Sequence, residues 1–554
     1  MGIFMMELSA IEGGLIPIAA REKYVHNYHH HQFKDYYHWL RDDGEPSERV
    51  LEYLRSENNY THKFISKFKP LVDTIYREIE AFGHVEQNHS FRVGEYTYFC
   101  DKSNGLSNYT RAIRGSKQLV QDFNRYPEST VEGEFIPSPD NSKVAYTLDL
   151  DATEEYQLVI KDIRTNKESF ISKVSDPNFA WSPDSSSIFY IIRDETSDLP
   201  RLVRYSQNKA IVLFEEEDIN NSIEIYLSVS QRFLFLKRGT ATSSEVHSLE
   251  LTNSHAKLQL ISPISPNRVY SVDHQNDTFL IVTNKFQDQH YPSFALFSAP
   301  ITAPSRWSPI TTYNPKHHII SMYGLENSIL VEVLINGIQY IKYIKNNTIF
   351  TPSFTQHVFH AKYDQLQYTS SKVQIIYSSP ITPTTLYELD LNTHKMKLLH
   401  TNTIPNYSQS NYIVERISTP NKIPITLIYE KSRKHRTSPL VLEGYGGYGT
   451  NIEPKFMPQL PSLLNRGFIY AIAHVRGGTE KGKEWHEQGK LLNKMNSFKD
   501  FAECAHHLRS SNIASHITAI GSSAGGLLVA ATINQNPDLF QTAILNGNLH
   551  SCFN

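Results

Sequence analysis

A turn motif that returns at a nearly constant spacing occupies the middle of the chain. Ser138-Pro139-Asp140 and Ser182-Pro183-Asp184 each stand between two strand-like runs, 44 residues apart. Related segments around Ser228 and Ser271 follow after a further 46 and 43 residues. Weaker echoes of the motif occur near Ser321 and Ser370. A period of about 45 residues, with about four strands in each repeat, is typical of a β-propeller blade.

The spacing also sets an expected domain order. If the segment Phe91–Phe99 belongs to the first repeat, the count is seven blades. The alternative is a long β-sandwich with coincidental turns, and it leaves the even interval unexplained. We therefore expect a seven-bladed propeller at 81–425, an N-terminal segment at 1–80 and a further domain at 426–554.

A second motif lies near the end of the chain, in the sequence HITAIGSSAGGLLVAATIN at 516–534. An apolar strand leads into Gly521-Ser522-Ser523-Ala524-Gly525, and a helix follows at once. This G-x-S-x-G pattern predicts a nucleophile elbow, because a strand that reverses into a helix needs small residues two positions before and after the strained serine. A glycine-rich structural turn is the alternative, and the flanking strand and helix argue against it.

Strands and helices alternate in the segment that carries this motif. Leu440–Leu442 and Phe468–Val475 are apolar runs of the strand type, and Ser497 begins a predicted helix. The apolar face of this helix consists of Phe498, Phe501, Ala502, Ala505 and Leu508. Such alternation requires a mostly parallel sheet covered on both faces. With an elbow in it, the predicted fold is an α/β-hydrolase.

Composition gives no reason to expect several classes of partner. The 554 residues carry a formal net charge of −3, which gives no reason to expect nucleic acid or a membrane surface as a partner. The three cysteines, Cys100, Cys504 and Cys552, are far apart and read as reduced thiols. There is no signal-peptide pattern at the start and no apolar run of membrane-spanning length. We expect a cytoplasmic protein.

A histidine cluster near the start suggests a metal site at first sight. His26, His29, His30 and His31 fit no standard zinc spacing, and no cysteine or acidic residue stands beside them. The simpler interpretation is a solvated loop, so the sequence predicts neither a metal nor a cofactor.

Six motifs together resemble the prolyl oligopeptidase family, and within it the oligopeptidase B branch. They are Tyr37–Asp43 with Glu57-Asn58, the propeller repeat, Ile423–Leu427, Gly444–Gly449, His474–Gly478 and the elbow Gly521–Gly526. The resemblance covers the chain from Tyr36 to about Leu545. It implies a serine-hydrolase domain on which the N-terminal segment packs, capped by a seven-bladed propeller that admits only short peptides.

The resemblance also implies roles for particular residues. Ser523 matches the acylating serine, and Tyr445 matches the tyrosine that forms the oxyanion hole with the backbone N–H of Ala524. The alternative for Tyr445 is a packed aromatic side chain at a strand end. Arg476, with its two glycines, matches a loop that stabilises the site from behind, and we do not expect it to be catalytic.

The chain departs from the family after the serine. A nucleophilic serine needs a histidine base and an orienting carboxylate, which follow it in α/β-hydrolases. Only 31 residues follow Ser523, and their candidates are Asp538, in an apparent turn, and His550. The family's own aspartate and histidine, and most of the carboxylates that select Arg or Lys, come further downstream. From Gly547 onward the sequence no longer resembles the family. A premature stop, a frameshift or a split gene would produce such a pattern.

Two further expectations come from this departure. Thr542–Leu545 would be an exposed edge strand instead of an inner one, so the hydrolase domain would be unstable alone or would depend on a second chain. A substitute base among His474, His486, His506, His507 and His516 is disfavoured, because all of them precede the elbow.

The predicted function is therefore a serine oligopeptidase that hydrolyses short peptides after Arg or Lys, in a chain that lacks the triad Asp and His. One alternative is a non-catalytic remnant whose propeller binds peptides or a partner protein. Another is an esterase or acylaminoacyl hydrolase on the same scaffold. Whether Ser523 is activated as a nucleophile distinguishes a peptidase from the non-catalytic remnant.

Overall fold

The computed structural model describes most of the chain and divides it into two units. The described residues are 16–28, 30–41, 47–83, 89–102, 105–193, 196–253, 255–435 and 438–547. The first compact unit is Met1–Ala81 and the second is Phe82–Asn554. None of the helices in the described ranges combines the length and the apolar composition needed to cross a membrane.

The first unit is a hairpin followed by two helices. The hairpin strands are β1 (Tyr24–Tyr28) and β2 (His31–Asp35), a 3₁₀ turn covers His38–Leu40, and the helices are α1 (Glu48–Ser66) and α2 (Lys69–Gly83). The indole of Trp39 donates to the carbonyl of Ala20 at 2.7 Å, and the guanidinium of Arg49 lies 4.2 Å above the Trp39 ring. Trp39 therefore joins the start of α1 to the segment before the hairpin.

Five sheets of four antiparallel strands come next. They are β3–β6 (His89–Val93, Tyr96–Asp101, Asn108–Ile113, Ser116–Asp122), β7–β10 (Val131–Pro137, Lys143–Asp149, Tyr156–Asp162, Glu168–Val174), β11–β14 (Phe179–Trp181, Ser187–Arg193, Pro200–Ser206, Lys209–Glu215), β15–β18 (Ser222–Leu227, Phe233–Gly239, Ser244–Glu250, Gln259–Ser262) and β19–β22 (Tyr270–Gln275, Thr278–Phe286, Gln289–Pro300, Ser308–Pro309).

A sixth sheet has eight strands. It contains β23–β30 (His318–Leu325, Ser328–Ile335, Ile338–Lys345, Thr348–Phe350, His360–Asp364, Lys372–Ser379, Thr382–Asp390, Met396–Thr401). A single parallel pair, Gln339 with His360, joins its two antiparallel halves. Each half has four strands, the same number as in the five preceding sheets.

The repeated turns hold neighbouring sheets together. Asp140 accepts hydrogen bonds from the Ser138 hydroxyl at 2.6 Å and from the Ser142 N–H at 3.0 Å. The Asp140 N–H donates to the hydroxyl of Ser185, in the equivalent turn of the next sheet, at 3.0 Å. The sequence predicts that Ser271 occupies the same turn in a later repeat, and this prediction is wrong. Ser271 lies within β19, and β19 and β20 are joined by only two residues.

The last sheet is mixed. Its strands are β31 (Tyr412–Ser418), β32 (Pro424–Glu430), β33 (Pro439–Gly444), β34 (Ile469–Ala473), β35 (His516–Ser522) and β36 (Thr542–Asn546), in the order β31-β32-β34-β33-β35-β36. β34, β33, β35 and β36 run parallel, whereas β31 and β32 pair antiparallel. The expected mostly parallel sheet thus has two antiparallel strands, and the expected domain boundary at 426 falls inside β32.

Four α-helices of the described segment 438–547 accompany this sheet. They are α3 (Leu460–Leu464), α4 (Lys483–Glu487), α5 (Met495–Ser510) and α6 (Ala524–Gln535). The five apolar residues predicted to face the sheet from α5 are buried, so that face is confirmed, although the helix begins two residues before Ser497. Within the described residues β36 lies at the sheet edge, and the side chains of Ile544 and Leu545 are exposed.

A turn of the eight-stranded sheet contacts the mixed sheet through a buried polar cluster. The N–H of Gly337, between β24 and β25, donates to the carbonyl of Glu480 at 2.8 Å. Arg416, on β31, donates to the carbonyl of Asn336. Gly337 adopts φ +77°, which favours glycine, and a Cβ there would lie 2.5 Å from the Arg416 guanidinium. The contact fixes the relative position of the two sheets at this point.

The carboxyl group in this cluster is fully buried. Glu480 lies 3.5 Å from Nδ1 of His474, and both side chains are almost inaccessible. Burial raises the pKa of Glu480 to about 8, although the nearby Arg416 acts in the opposite direction. Burial and the same arginine hold the pKa of His474 well below its ordinary value. The cluster is therefore most stable when Glu480 carries a proton.

This burial predicts a pH dependence of stability. Because the folded state holds a proton on Glu480 that the unfolded chain releases at its ordinary pKa of 4.5, the contribution of Glu480 to stability is fully present below pH 4.5 and is lost as pH rises to about 8. Glu480→Gln removes this contribution, so the stability of the wild type should fall more steeply with pH than that of the variant, by at most about 1.4 kcal/mol per pH unit. The lowered pKa of His474 acts in the opposite direction below pH 6.5, and it is present in both proteins. Urea denaturation across this pH window measures the difference. Glu484→Gln, an exposed control on α4, should keep the wild-type slope, and equal slopes in all three proteins would contradict the assignment.

A second prediction concerns the core between α5 and the mixed sheet. Phe501 is completely buried, and its ring stacks on Phe540 with centroids 5.8 Å apart. Phe501→Ala should lower the free energy of unfolding by about 3–5 kcal/mol, because removal of the buried ring leaves a cavity in the core. Chemical denaturation followed by circular dichroism measures the change. Phe170→Ala, at an exposed position of β10, should change stability by less than about 0.5 kcal/mol.

Candidate active site

Ser523 occupies the sharp turn between β35 and α6. Its backbone has φ 53° and ψ −120°, a conformation that costs a non-glycine residue about 1–3 kcal/mol. The strand leads directly into the turn, and the helix starts at the next residue. This is the geometry that the G-x-S-x-G pattern predicts. It projects the Ser523 side chain from the tip of the turn.

The two glycines of the motif are required by close backbone contacts. A Cβ on Gly521 would lie 2.1 Å from the carbonyl oxygen of Gly525. A Cβ on Gly525 would lie 2.5 Å from the carbonyl oxygen of Gly444, at the end of β33. A side chain at Gly521 would therefore distort the turn itself, and one at Gly525 would push the turn away from the neighbouring strand; either would displace Ser523.

The loop that follows β33 brings Tyr445 to this turn. Gly446 adopts φ +64°, and a Cβ on Gly447 would lie 2.9 Å from the Cβ of Ala524. Tyr445, which directly precedes these two glycines, is half-buried. Its hydroxyl makes no side-chain hydrogen bond within the described residues. The structure thus places the predicted tyrosine loop directly against the first residue of α6.

Ala524 contributes its backbone. It is the first residue of a helix of twelve residues, so its N–H has no partner inside the helix. The N-terminus of a helix also carries partial positive charge, which favours an anion. The N–H of Ala524 is therefore a donor positioned beside the nucleophile.

A second loop supports the Tyr445 loop from behind. Arg476 pairs with Asp500 through its Nε at 2.8 Å and its backbone N–H at 3.0 Å, and this hydrogen bonding raises the pKa of Arg476. A Cβ on Gly477 would lie 2.1 Å from the carbonyl oxygen of Gly446. Lys494 also donates to that carbonyl. Arg476 therefore has the supporting position expected for it.

The sequence did not single out Asp500 or Lys494. Asp500 lies on the buried face of α5, next to Phe501. An acidic residue on the apolar face of a predicted helix is a signal for a buried ion pair, and it could have identified Asp500. Lys494 precedes the helix and gave no such signal, because its partner is a backbone carbonyl.

No base reaches Ser523 within the described residues, where its side chain makes no hydrogen bond. His474 is bonded to Arg416 and Thr426, and Nδ1 of His486 donates to the carbonyl of Gly477 at 2.8 Å. His507 and His516 contact serines near them in the chain. Asp538 lies in a turn after α6, as expected, and His550 lies outside the described residues.

The arrangement favours acyl transfer. A serine hydroxyl, a helix N-terminal N–H and a tyrosine meet at one turn, and this set suits attack on a carbonyl carbon. Within the described ranges, the single grouping of His, Cys, Asp and Glu close enough to share a metal ion belongs to the first unit and comprises His26, Asp35 and His38.

Two family descriptions match the chain. Residues 17–402 match "Prolyl oligopeptidase, N-terminal beta-propeller domain", and residues 454–550 match "Prolyl oligopeptidase family". The first of these alone covers more than half of the chain, and the second contains the elbow.

Individual proteins agree with this assignment. "Protease 2" of Moraxella lacunata is 29% identical over 96% of this chain and 80% of its own length. "Dipeptidyl aminopeptidase BI" of Pseudoxanthomonas mexicana is 27% identical over 97% of this chain and 80% of its own length. The solved structure of oligopeptidase B from Leishmania major is 26% identical, with a TM-score of 0.86 over 96% of this chain and 82% of that chain. The chain therefore belongs to the prolyl oligopeptidase family of serine peptidases and is similar to its protease 2 and oligopeptidase B members.

Proposed function

We propose that this chain acts as a serine oligopeptidase in which Ser523 forms an acyl-enzyme with the carbonyl carbon of a peptide bond. The observation that carries the proposal is the strained backbone of Ser523 at a turn packed against the Tyr445 loop. A structural turn would use glycine at this position, because glycine adopts positive φ without strain. Serine at this position is useful only for its hydroxyl.

In the proposed mechanism the Oγ of Ser523 attacks the scissile carbonyl, and negative charge develops on the carbonyl oxygen. The N–H of Ala524 and the hydroxyl of Tyr445 are the donors for this oxyanion. One such donor contributes about 2.7–4 kcal/mol to transition-state stabilisation. Arg476 acts indirectly, because its ion pair with Asp500 holds the loop of Gly477 against the loop of Gly446.

The proton of Ser523 requires an imidazole base and an orienting carboxylate. We propose that both come from outside the described residues, or from a second chain that binds beside β36. This part of the proposal rests on the family's order of catalytic residues, in which both follow the serine. It also rests on the engagement of the upstream histidines His474 and His486 with other partners.

We also propose that the strands of 89–401 form seven blades, with the eight-stranded sheet divided at the pair Gln339 and His360 into two of them. The catalytic domain then begins near Tyr412, where the mixed sheet starts, and residues 1–80 form the N-terminal segment. A propeller over the catalytic domain would admit short peptides and exclude folded proteins.

For specificity we propose cleavage after Arg or Lys. The proposal is supported by the similarity to protease 2 and oligopeptidase B. Other relatives bear the names dipeptidyl aminopeptidase and prolyl endopeptidase, so a direct comparison is needed. Fluorogenic peptides that differ only in having Arg, Lys, Pro or Ala before the scissile bond provide it, and faster cleavage after Pro or Ala would contradict the proposal.

The first prediction for the site concerns covalent labelling of Ser523. With the base supplied in the way proposed above, from this chain or from a copurifying second chain, a fluorophosphonate probe should label the purified protein and should not label Ser523→Ala, because the probe phosphonylates an activated serine efficiently. Ser522→Ala removes an exposed hydroxyl from the same motif and should retain labelling. If folded wild-type protein is not labelled, Ser523 is not activated, and the chain is better described as a propeller that binds peptides or a partner protein.

The second prediction concerns the oxyanion donor. Tyr445→Phe should lower the rate constant of labelling by about 10²–10³, because it removes one donor without changing the ring. Stopped-time labelling with in-gel fluorescence measures the rate. Tyr448→Phe alters an exposed tyrosine of the same loop and should leave the rate unchanged. Equal rates in Tyr445→Phe and wild type would assign Tyr445 to packing alone.

A further inference from the structure

The hairpin of the first unit brings together residues that are far apart in its sequence. Tyr24 pairs with Asp35, and His26 pairs with Phe33, across β1 and β2. Residues two apart on a strand share one face, so His26 and Asp35 lie on the same face of the hairpin. The 3₁₀ turn after β2 returns His38 to this face.

Three ligand-type atoms meet there. Nε2 of His26 lies 3.5 Å from Oδ2 of Asp35, and Nδ1 of His38 lies 3.9 Å from the same oxygen. All three atoms lie within 4.8 Å of one another. Ligands at about 2.0–2.2 Å from a tetrahedral zinc ion are separated by about 3.3–3.5 Å. A small inward movement of the side chains would therefore complete the geometry.

The carboxylate is already oriented for this role. Oδ1 of Asp35 accepts the backbone N–H of Tyr37 at 2.9 Å, which leaves Oδ2 facing both imidazoles. Hydrogen bonding of a ligand through its other atom is the usual way in which a protein fixes a metal-binding side chain. A His26–Asp35 hydrogen bond alone would account for one imidazole. It leaves the position of His38 unexplained, because 3.9 Å exceeds hydrogen-bonding distance.

Aromatic stacking holds the imidazoles in place. The ring of His38 stacks on Tyr24, with centroids 3.7 Å apart and planes 14° apart. The rings of His26 and His38 are nearly perpendicular, at 81°, with centroids 4.8 Å apart. The side chains of the three ligands remain 20% to 40% exposed, so an ion has a route to them and a water molecule has room beside it.

We propose that His26, Asp35 and His38 bind one divalent transition-metal ion, with Zn²⁺ as the ion that suits two imidazoles and a carboxylate. The fourth position is taken by water. The ion ties the hairpin to the 3₁₀ turn and stabilises the first unit. Among first-row divalent ions this ligand set also accepts Co²⁺, which reports its geometry through visible absorption.

Metal titration tests this site. The full 554-residue chain is prepared without a histidine tag and is dialysed against a chelator before the titration. Zn²⁺ should bind at one equivalent in competition with a chromophoric chelator. His26→Ala and His38→Ala should each weaken binding by more than about 100-fold, since the loss of a ligand exceeds the usual effect of an outer-sphere partner. His31→Ala, an exposed imidazole of the same hairpin, should bind like wild type.

A second variant separates ligation from folding. His38→Cys supplies a thiolate in place of an imidazole, so it should retain Zn²⁺, and its Co²⁺ complex should gain a sulfur-to-cobalt charge-transfer band that wild type lacks. If His38 has only a structural role in wild type, the cysteine that replaces it binds no cobalt and no such band appears. The proposal is overturned if wild type takes up no stoichiometric Zn²⁺, if His31→Ala loses binding as strongly as His38→Ala, or if Co²⁺-loaded His38→Cys shows no sulfur band.

Discussion

The candidate active site depends on a series of backbone contacts too close for side chains. Gly525 lies against Gly444, Gly477 lies against Gly446, and a Cβ on Gly489 would meet the backbone N of Gly477 at 2.2 Å. Each contact joins a loop of the mixed sheet to the next loop behind it. Because protein interiors are close-packed and deform little, a displacement of one loop is transmitted to the others. The position of Ser523 is thus set by at least three consecutive layers of backbone.

The same region shows how charge supports this packing. Asp500 is buried within α5 and is paired with Arg476, so its charge is compensated without solvent. Lys494 and Ser497 donate to carbonyls of the stacked loops. These groups satisfy backbone acceptors that the glycine contacts exclude from water. Packing and polar satisfaction therefore come from the same short segment, 494–500.

Local patterns in the sequence were enough for much of this architecture. The G-x-S-x-G spacing predicted the strained turn at Ser523, and the spacing of Phe498 to Leu508 predicted the buried face of α5, because both depend on neighbours within one element. The repeat placed the turns at Ser138 and Ser182 correctly. It misplaced Ser271, since a tight two-residue turn between β19 and β20 left the serine inside the strand.

Contacts between distant segments were beyond those patterns. The pairing of Arg476 with Asp500 joins positions 24 residues apart, and Arg416 meets Asn336 across 80 residues. The sequence does not connect the histidines near the start with Asp35, because nine residues separate it from His26 and only the hairpin register makes them neighbours. Such partners become visible only when the chain is folded.

The backbone of Ser523 has an evolutionary consequence. At φ 53° a glycine would relieve about 1–3 kcal/mol of strain without disturbing the turn. A lineage released from selection for chemistry would gain stability from that single replacement, and drift would remove the serine early. A serine that persists in such a conformation is an indicator of past or present selection on its hydroxyl, independent of any resemblance to known enzymes.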